Sequence, residues 1–135
     1  MNLIVFDLEW NIGYQPKTFL YHGTELTLRG EIIQIGAARI NDRGDVLDTF
    51  EVNLKPHIFR KLQHHIAKVT GLSQGDLDAG LPMKEGLQKF LEQSAFPIRI
   101  PLRQAFGILV DILFSICQFS LTQIKWINIR FIQKD

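Results

Sequence analysis

Only one cysteine, Cys117, occurs among the 135 residues. A single thiol cannot close an internal disulfide or build a cysteine-rich zinc site. Its scarcity fits a reducing, cytoplasmic setting. The N-terminus has no basic leader and its apolar run is stopped by Asp7, so residues 1–10 are not expected to act as a signal peptide. Internal repeats and low-complexity tracts are missing too. Net charge is almost missing: 15 Lys and Arg against 14 Asp and Glu leave +1. Any nucleic-acid surface must therefore be a local patch and not a global field.

What is present is the composition of one modest globular domain, 46% hydrophobic and 21% charged. The charge balance changes along it. Residues 1–97 hold 12 acids and 10 bases, whereas residues 98–135 hold Asp111 and Asp135 against five bases, with nine isoleucines and no glutamate. We therefore divide the chain at Pro97 into 1–97 and a divergent apolar tail, 98–135. Within that tail, residues 105–124 are long enough to suggest a membrane helix. Asp111, Gln118, Thr122 and Gln123 make it a poor span, and no membrane association is expected.

Along residues 1–97 the pattern changes period. "NLIVFDLE" is a continuous apolar run closed by acids, which predicts a central strand buried on both faces. "WNIGYQ" predicts a turn at Asn11 and Gly13, followed by a long polar connection over 14–30. "EIIQIGAARI" predicts a second strand over 31–40, with Gly36-Ala37-Ala38 open to close approach by a neighbour. "NDRGD" predicts a hairpin connection with Gly44 at positive φ. Over 46–54 the residues alternate, placing Val46, Phe50, Val52 and Leu54 on one face. A helix over 58–69 is predicted from Leu62, Ile66 and Val69, ended by Gly71. One helical turn follows Ser73, and Met83, Leu87, Phe90 and Leu91 predict a helix over 83–93. The expected whole is an α/β domain, a three-stranded antiparallel meander followed by helices.

Asp7 and Glu9 carry the chemistry. Alternate residues of a strand share a face, so both carboxylates project together while Leu8 turns away. Two like charges on one face repel unless a cation sits between them, and hard oxygen ligands suit Mg²⁺ or Mn²⁺ rather than zinc. A two-metal centre uses one ion to activate water and the other to stabilise the leaving oxygen, and it needs three or four carboxylates. Other readings of the pair stand beside this one. The acids could end a strand and face solvent, or form a phosphatase-type nucleophile loop, although such loops favour D-x-D.

The ordered segments "IVFDLEWN", "EIIQIGAARI", "DTFEVNLKP" and "VTGLSQGDLDAGLP" together resemble the first half of the DEDD 3′–5′ exonucleases. That family includes polymerase proofreading subunits and ribonuclease T. The resemblance implies a ribonuclease H-like fold, a two-metal site holding Mg²⁺ or Mn²⁺, and hydrolysis of single-stranded DNA or RNA from its 3′ end. It implies Asp7 and Glu9 as the first two metal ligands and as catalytic residues. It places Trp10 and Asn11 beside the terminal nucleotide, although a core tryptophan and a turn asparagine fit the same residues. Thr70-Gly71-Leu72 matches an architectural turn.

The resemblance stops near residue 93. The family's third and fourth aspartates and its late general base have no match, since no histidine follows His65. His64 and His65 are expected on the surface, and His57, like them, lies in the wrong region for the base. Asp111 is the one internal acid left to serve as a third ligand. The C-terminal half is thus expected to be truncated or aberrant, with a frame disruption after Pro97 as one explanation. The two functional expectations are an impaired metal-dependent exonuclease and an inactive remnant or nucleic-acid-binding module. The sequence carries no signal of oligomeric state.

Overall fold

A computed structural model describes residues 3–93. Three strands, β1 (Leu3–Tyr21), β2 (Thr24–Ile40) and β3 (Val46–Asn53), form an antiparallel sheet in the order β1-β2-β3. The helices α1 (His64–Thr70), α2 (Gln74–Asp78) and α3 (Met83–Gln93) follow. The meander-then-helices order matches the sequence reading. The tail, with Asp111 and the apolar stretch 105–124, lies outside the described residues. Among the described residues no helix is long and apolar enough to cross a membrane.

The expected polar connection over 14–30 is instead the outer part of a β1–β2 hairpin, with Tyr21 opposite Thr24. His22 (φ 47°) and Gly23 (φ 80°) make its two-residue turn with positive φ at both positions, which matches the twist of paired strands. Pro16 does not end the strand because it falls where pairing lapses, between Ile12 and Lys17, and no ladder N–H is required there. Asn11 and Gly13 accordingly lie within β1 and do not turn it.

Over residues 4–8 strand β1 is buried on one face only, and it is an edge strand among the described residues, not a central one. Phe6, Leu8 and Trp10 pack towards a core of Ile32, Ile35, Leu54, Leu87 and Phe90. The alternate residues Val5 and Asp7 are exposed. Helix α3 supplies the covering layer with the predicted stripe: Leu87 and Phe90 are buried, and Met83 and Leu91 pack beside them. The Phe90 ring lies 5.8 Å from both the Phe6 and Phe50 rings, at tilted angles that favour edge-to-face contact. Gly86 lets α3 approach, because a Cβ there would strike the Leu54 side chain.

Three further expectations change. Val46 is exposed because the register shifts between Arg39 and Ile40, at the hairpin end beyond the reach of the core. Among the described residues a Cβ added at Gly36 would meet nothing within 4 Å, so none of them packs over that residue. The close backbone approach is at Gly80, where a Cβ would lie 2.7 Å from the Leu54 carbonyl carbon.

The helix predicted over 58–69 forms only from His64, and none of its residues is buried. Val69, placed on its apolar stripe, is 82% exposed. The physical reason is tertiary: Asn11 and Glu31 from the sheet and Gln74 from α2 take backbone groups of residues 57–63 that a helix would use. Gly71 ends α1 at φ 77° as expected, and Ser73 with Asp76 forms a reciprocal capping box on α2.

Candidate active site

The pairing register fixes where the two acids point. Asp7 is opposite Gly36 and Glu9 opposite Gln34, while Leu8 between them packs on the core side. Asp7 and Glu9 therefore share the face away from α3, as their spacing predicts. Among the described residues no side chain from β2 stands beside Asp7 on that face, because its partner there is Gly36. On the next strand Gln34, opposite Glu9, donates to Asn53 Oδ1 at 2.9 Å.

A β-bulge falls beside this pair. Trp10 is opposite Ile32 although Glu9 is opposite Gln34, so Ile33 is the extra residue of β2. Bulges bend a strand and re-aim its side chains. After the bulge, Asn11 continues the face of Asp7 and Glu9, opposite Glu31. Trp10 instead packs half-buried against the core.

Asn11 is fully buried. Its Nδ2 donates to the carbonyls of Phe59 (2.7 Å) and Lys61 (2.9 Å), and its Oδ1 accepts the Gln63 N–H at 3.1 Å. Glu31 completes the clamp: its carboxylate accepts the N–H groups of His57 (2.9 Å), Ile58 (2.7 Å) and Phe59 (2.5 Å). Gly13 lets the Phe59 ring pass close to β1, where a Cβ would strike it. The sequence reading missed Glu31. Its only signal is an acid at the head of an apolar strand, diagonal to no obvious base.

Burial, first, and the Asp7 carboxylate, second, raise the Glu9 carboxyl above the ordinary glutamate range. Folding thus binds a proton at Glu9 more tightly than the unfolded chain does. Below the unfolded value both states are protonated and nothing is lost. As pH rises through the unfolded value towards the folded one, stability falls, and the penalty is complete above both. Glu9→Gln should therefore raise the melting temperature at about pH 7, by about 3 °C for about 0.5 kcal/mol. This figure is that of like charges on one sheet face, discounted for solvent screening. The gain should vanish near about pH 3. Melts at both pH values check it, and equal shifts at the two would contradict it.

The same excess of negative charge is what a divalent cation relieves, so the donor set fits a hard metal. Two carboxylates are fewer than a two-metal centre needs. Among the described residues no group of three or more His, Cys, Asp and Glu is arranged to hold a metal ion. Glu51 shares the face but stands across Gly36, two strands from Asp7, or roughly 9–10 Å. His57, His64 and His65 are exposed, as expected for His64 and His65.

The three-stranded antiparallel sheet followed by helices is that of the ribonuclease H-like exonuclease fold, which the family match and the solved structures share. The chain belongs to the exonuclease family: the RNase T exonuclease model matches residues 4–97. No curated protein matches in sequence. Solved structures match in fold. The nuclease domain of 3′hExo, a DEDDh family member bound to rAMP, superposes with a TM-score of 0.59 at 18% identity, over 94% of this chain and 66% of that one. A full-length 3′-exonuclease gives 0.55 at 21% identity, over 68% of this chain and 28% of its own length. A 3′-exonuclease that recognises the histone mRNA stem-loop gives 0.54 at 21%, over 68% and 38%. The chain thus spans well under half the length of these last two structures.

Proposed function

We propose that this chain carries the first-strand part of a metal-dependent 3′–5′ exonuclease site acting on single-stranded DNA or RNA. The observation that supports it best is the shared open face of Asp7 and Glu9 in a chain of the exonuclease family. In this reading Asp7 and Glu9 hold Mg²⁺ or Mn²⁺. When bound, such ions activate water and stabilise the leaving oxygen of the phosphodiester. Trp10 and Asn11 stand beside the terminal nucleotide as supports: Trp10 anchors the strand in the core, and Asn11, with both amide hydrogens occupied, holds the neighbouring segment. The single cysteine supports a cytoplasmic setting.

Two carboxylates hold an ion weakly, because affinity follows the number of charged oxygens. Misplacing a reacting group by about 1 Å costs about 10²-fold in rate. We therefore infer that the chain alone trims a 3′ end slowly or not at all. The limiting form of this reading is an inactive exonuclease remnant or nucleic-acid-binding module, favoured by the lack of a third converging acid among the described residues.

The test has two readouts. Mn²⁺ at millimolar concentration should raise the melting temperature of the wild type but not of Asp7→Ala. A gel assay on labelled single-stranded DNA and RNA with Mg²⁺ or Mn²⁺ should show trimming at least about 10²-fold below that of an intact family member. Identical Mn²⁺ effects on wild type and Asp7→Ala would remove Asp7 as a ligand. Robust 3′ trimming abolished by Glu9→Ala would overturn the inactivity and show the site completed elsewhere in the chain.

A further inference from the structure

Positive charge is distributed unevenly along the chain. Between Glu51 and Asp76 the sequence has no acid, four bases (Lys55, Arg60, Lys61 and Lys68) and three histidines, although the net charge of the whole is only +1. The fold brings this stretch to the carboxylate pair. Asp7, Glu9 and Asn11 alternate along one face of β1, and Asn11 bonds the carbonyls of Phe59 and Lys61 there. The acid-free segment therefore meets β1 only two residues, roughly 7 Å, beyond Glu9.

The cations there are available. Lys61, His64, His65 and Lys68 are exposed, and α1, which carries the last three, packs on β1. Lys17 joins them from β1, with its ammonium 3.4 Å from the Ile58 carbonyl and 5.7 Å from the Phe59 ring centre. The one ion pair among the described residues, Arg39–Asp48, lies on other strands. Two acids border the segment. Glu31 and Asp78 line a hollow with Lys55, His57 and Arg60, so that end is balanced. Glu31 is engaged by three N–H groups and Asp78 by Gln74. The unbalanced charge belongs to Lys17, Lys61 and Lys68.

We propose that Lys17, Lys61 and Lys68 form a track for the phosphodiester backbone of a single-stranded nucleic acid, which leads its 3′ end to Asp7 and Glu9. Two carboxylates without a cation repel a polyanion. Neighbouring cations that replace the counterions of the strand reverse that sign, and the released counterions drive binding. The direction of the strand rests on the exonuclease reading, whereas the binding does not.

Fluorescence anisotropy of a labelled single-stranded oligonucleotide, in EDTA so that no metal-dependent hydrolysis occurs, tests the track. For single strands the logarithm of affinity falls with that of salt by about 0.7 per phosphate neutralised. Lys61→Gln with Lys68→Gln should reduce the slope by about 1.4 and weaken binding about tenfold at low salt. Lys84→Gln with Lys89→Gln, exposed on α3 across the sheet, should change neither. Unchanged melting curves for both double variants exclude a folding effect. Equal losses from the two pairs, or an unchanged slope for the first, would overturn the track. Displacement of the oligonucleotide by polyglutamate at equal charge would overturn the nucleic-acid assignment in favour of an acidic protein partner. Salt-dependent binding that persists without any trimming would leave the track standing and count against the exonuclease reading alone.

Discussion

Asn11→Ala should lower the stability of the fold by about 3 kcal/mol, because one buried side chain satisfies three backbone groups at once. The substitution leaves the carbonyls of Phe59 and Lys61 and the Gln63 N–H without their partner. An unsatisfied buried polar group costs about 1–3 kcal/mol, and the partly exposed Lys61 end can recover water. Urea denaturation of wild type and variant measures the loss. Amide exchange at Gln63 should accelerate together with it, since that N–H reports the clamp directly. A loss under about 1 kcal/mol would show that the segment is held by its apolar contacts, chiefly Phe59, and not by Asn11.

Glu31→Ala should cost a similar amount, about 3 kcal/mol, through the N–H groups of His57, Ile58 and Phe59. Hydrogen bonds to a charged acceptor are worth about 1.5–3 kcal/mol each, but these donors are partly exposed and regain water when released. Glu31→Gln keeps one acceptor oxygen and should lose about half as much. Asn11 and Glu31 hold the same six or so residues, so each single variant already frees part of what the other secures. The double variant should therefore fall short of additivity by about 1 kcal/mol or more, as coupled neighbours do. Strict additivity would mean that the two side chains anchor independent pieces of chain.

The parts of the fold that were legible in the sequence are those decided locally. Met83, Leu87, Phe90 and Leu91 fall on one helical stripe whatever lies beneath them. Gly44 and Gly71 occupy positive-φ positions that other residues resist, at φ 88° and 77°. The common face of Asp7 and Glu9 follows from strand geometry alone. What was not legible was decided at long range. The residues 58–63 have an acceptable helical pattern, and side chains distant in sequence, Asn11 and Glu31 from the strands and Gln74 from α2, divert their backbone. The outer hairpin was hidden because Asn11 and Gly13 read as a turn, although the strand runs on past Pro16, whose missing N–H falls in a lapse of the ladder. The edge position of β1 among the described residues also escaped prediction, because an apolar run reads alike whether one face or two are covered.

The clamp by Asn11 also sets an order of events in folding. The three strands are joined by the His22–Gly23 turn and by residues 41–45, so their pairing closes short loops. The bonds from Asn11 to Phe59 and Lys61 close loops of 48 and 50 residues. Loop closure is costlier for distant partners, and non-local contacts slow folding. The meander bearing Asp7 and Glu9 should thus form first, and the segment carrying Lys61 and Lys68 should dock onto it after the main barrier. Interactions made after the barrier govern escape from the native state and leave its formation untouched. Loss of the Asn11 side chain should accordingly appear almost wholly as faster unfolding, with the folding rate close to that of the wild type.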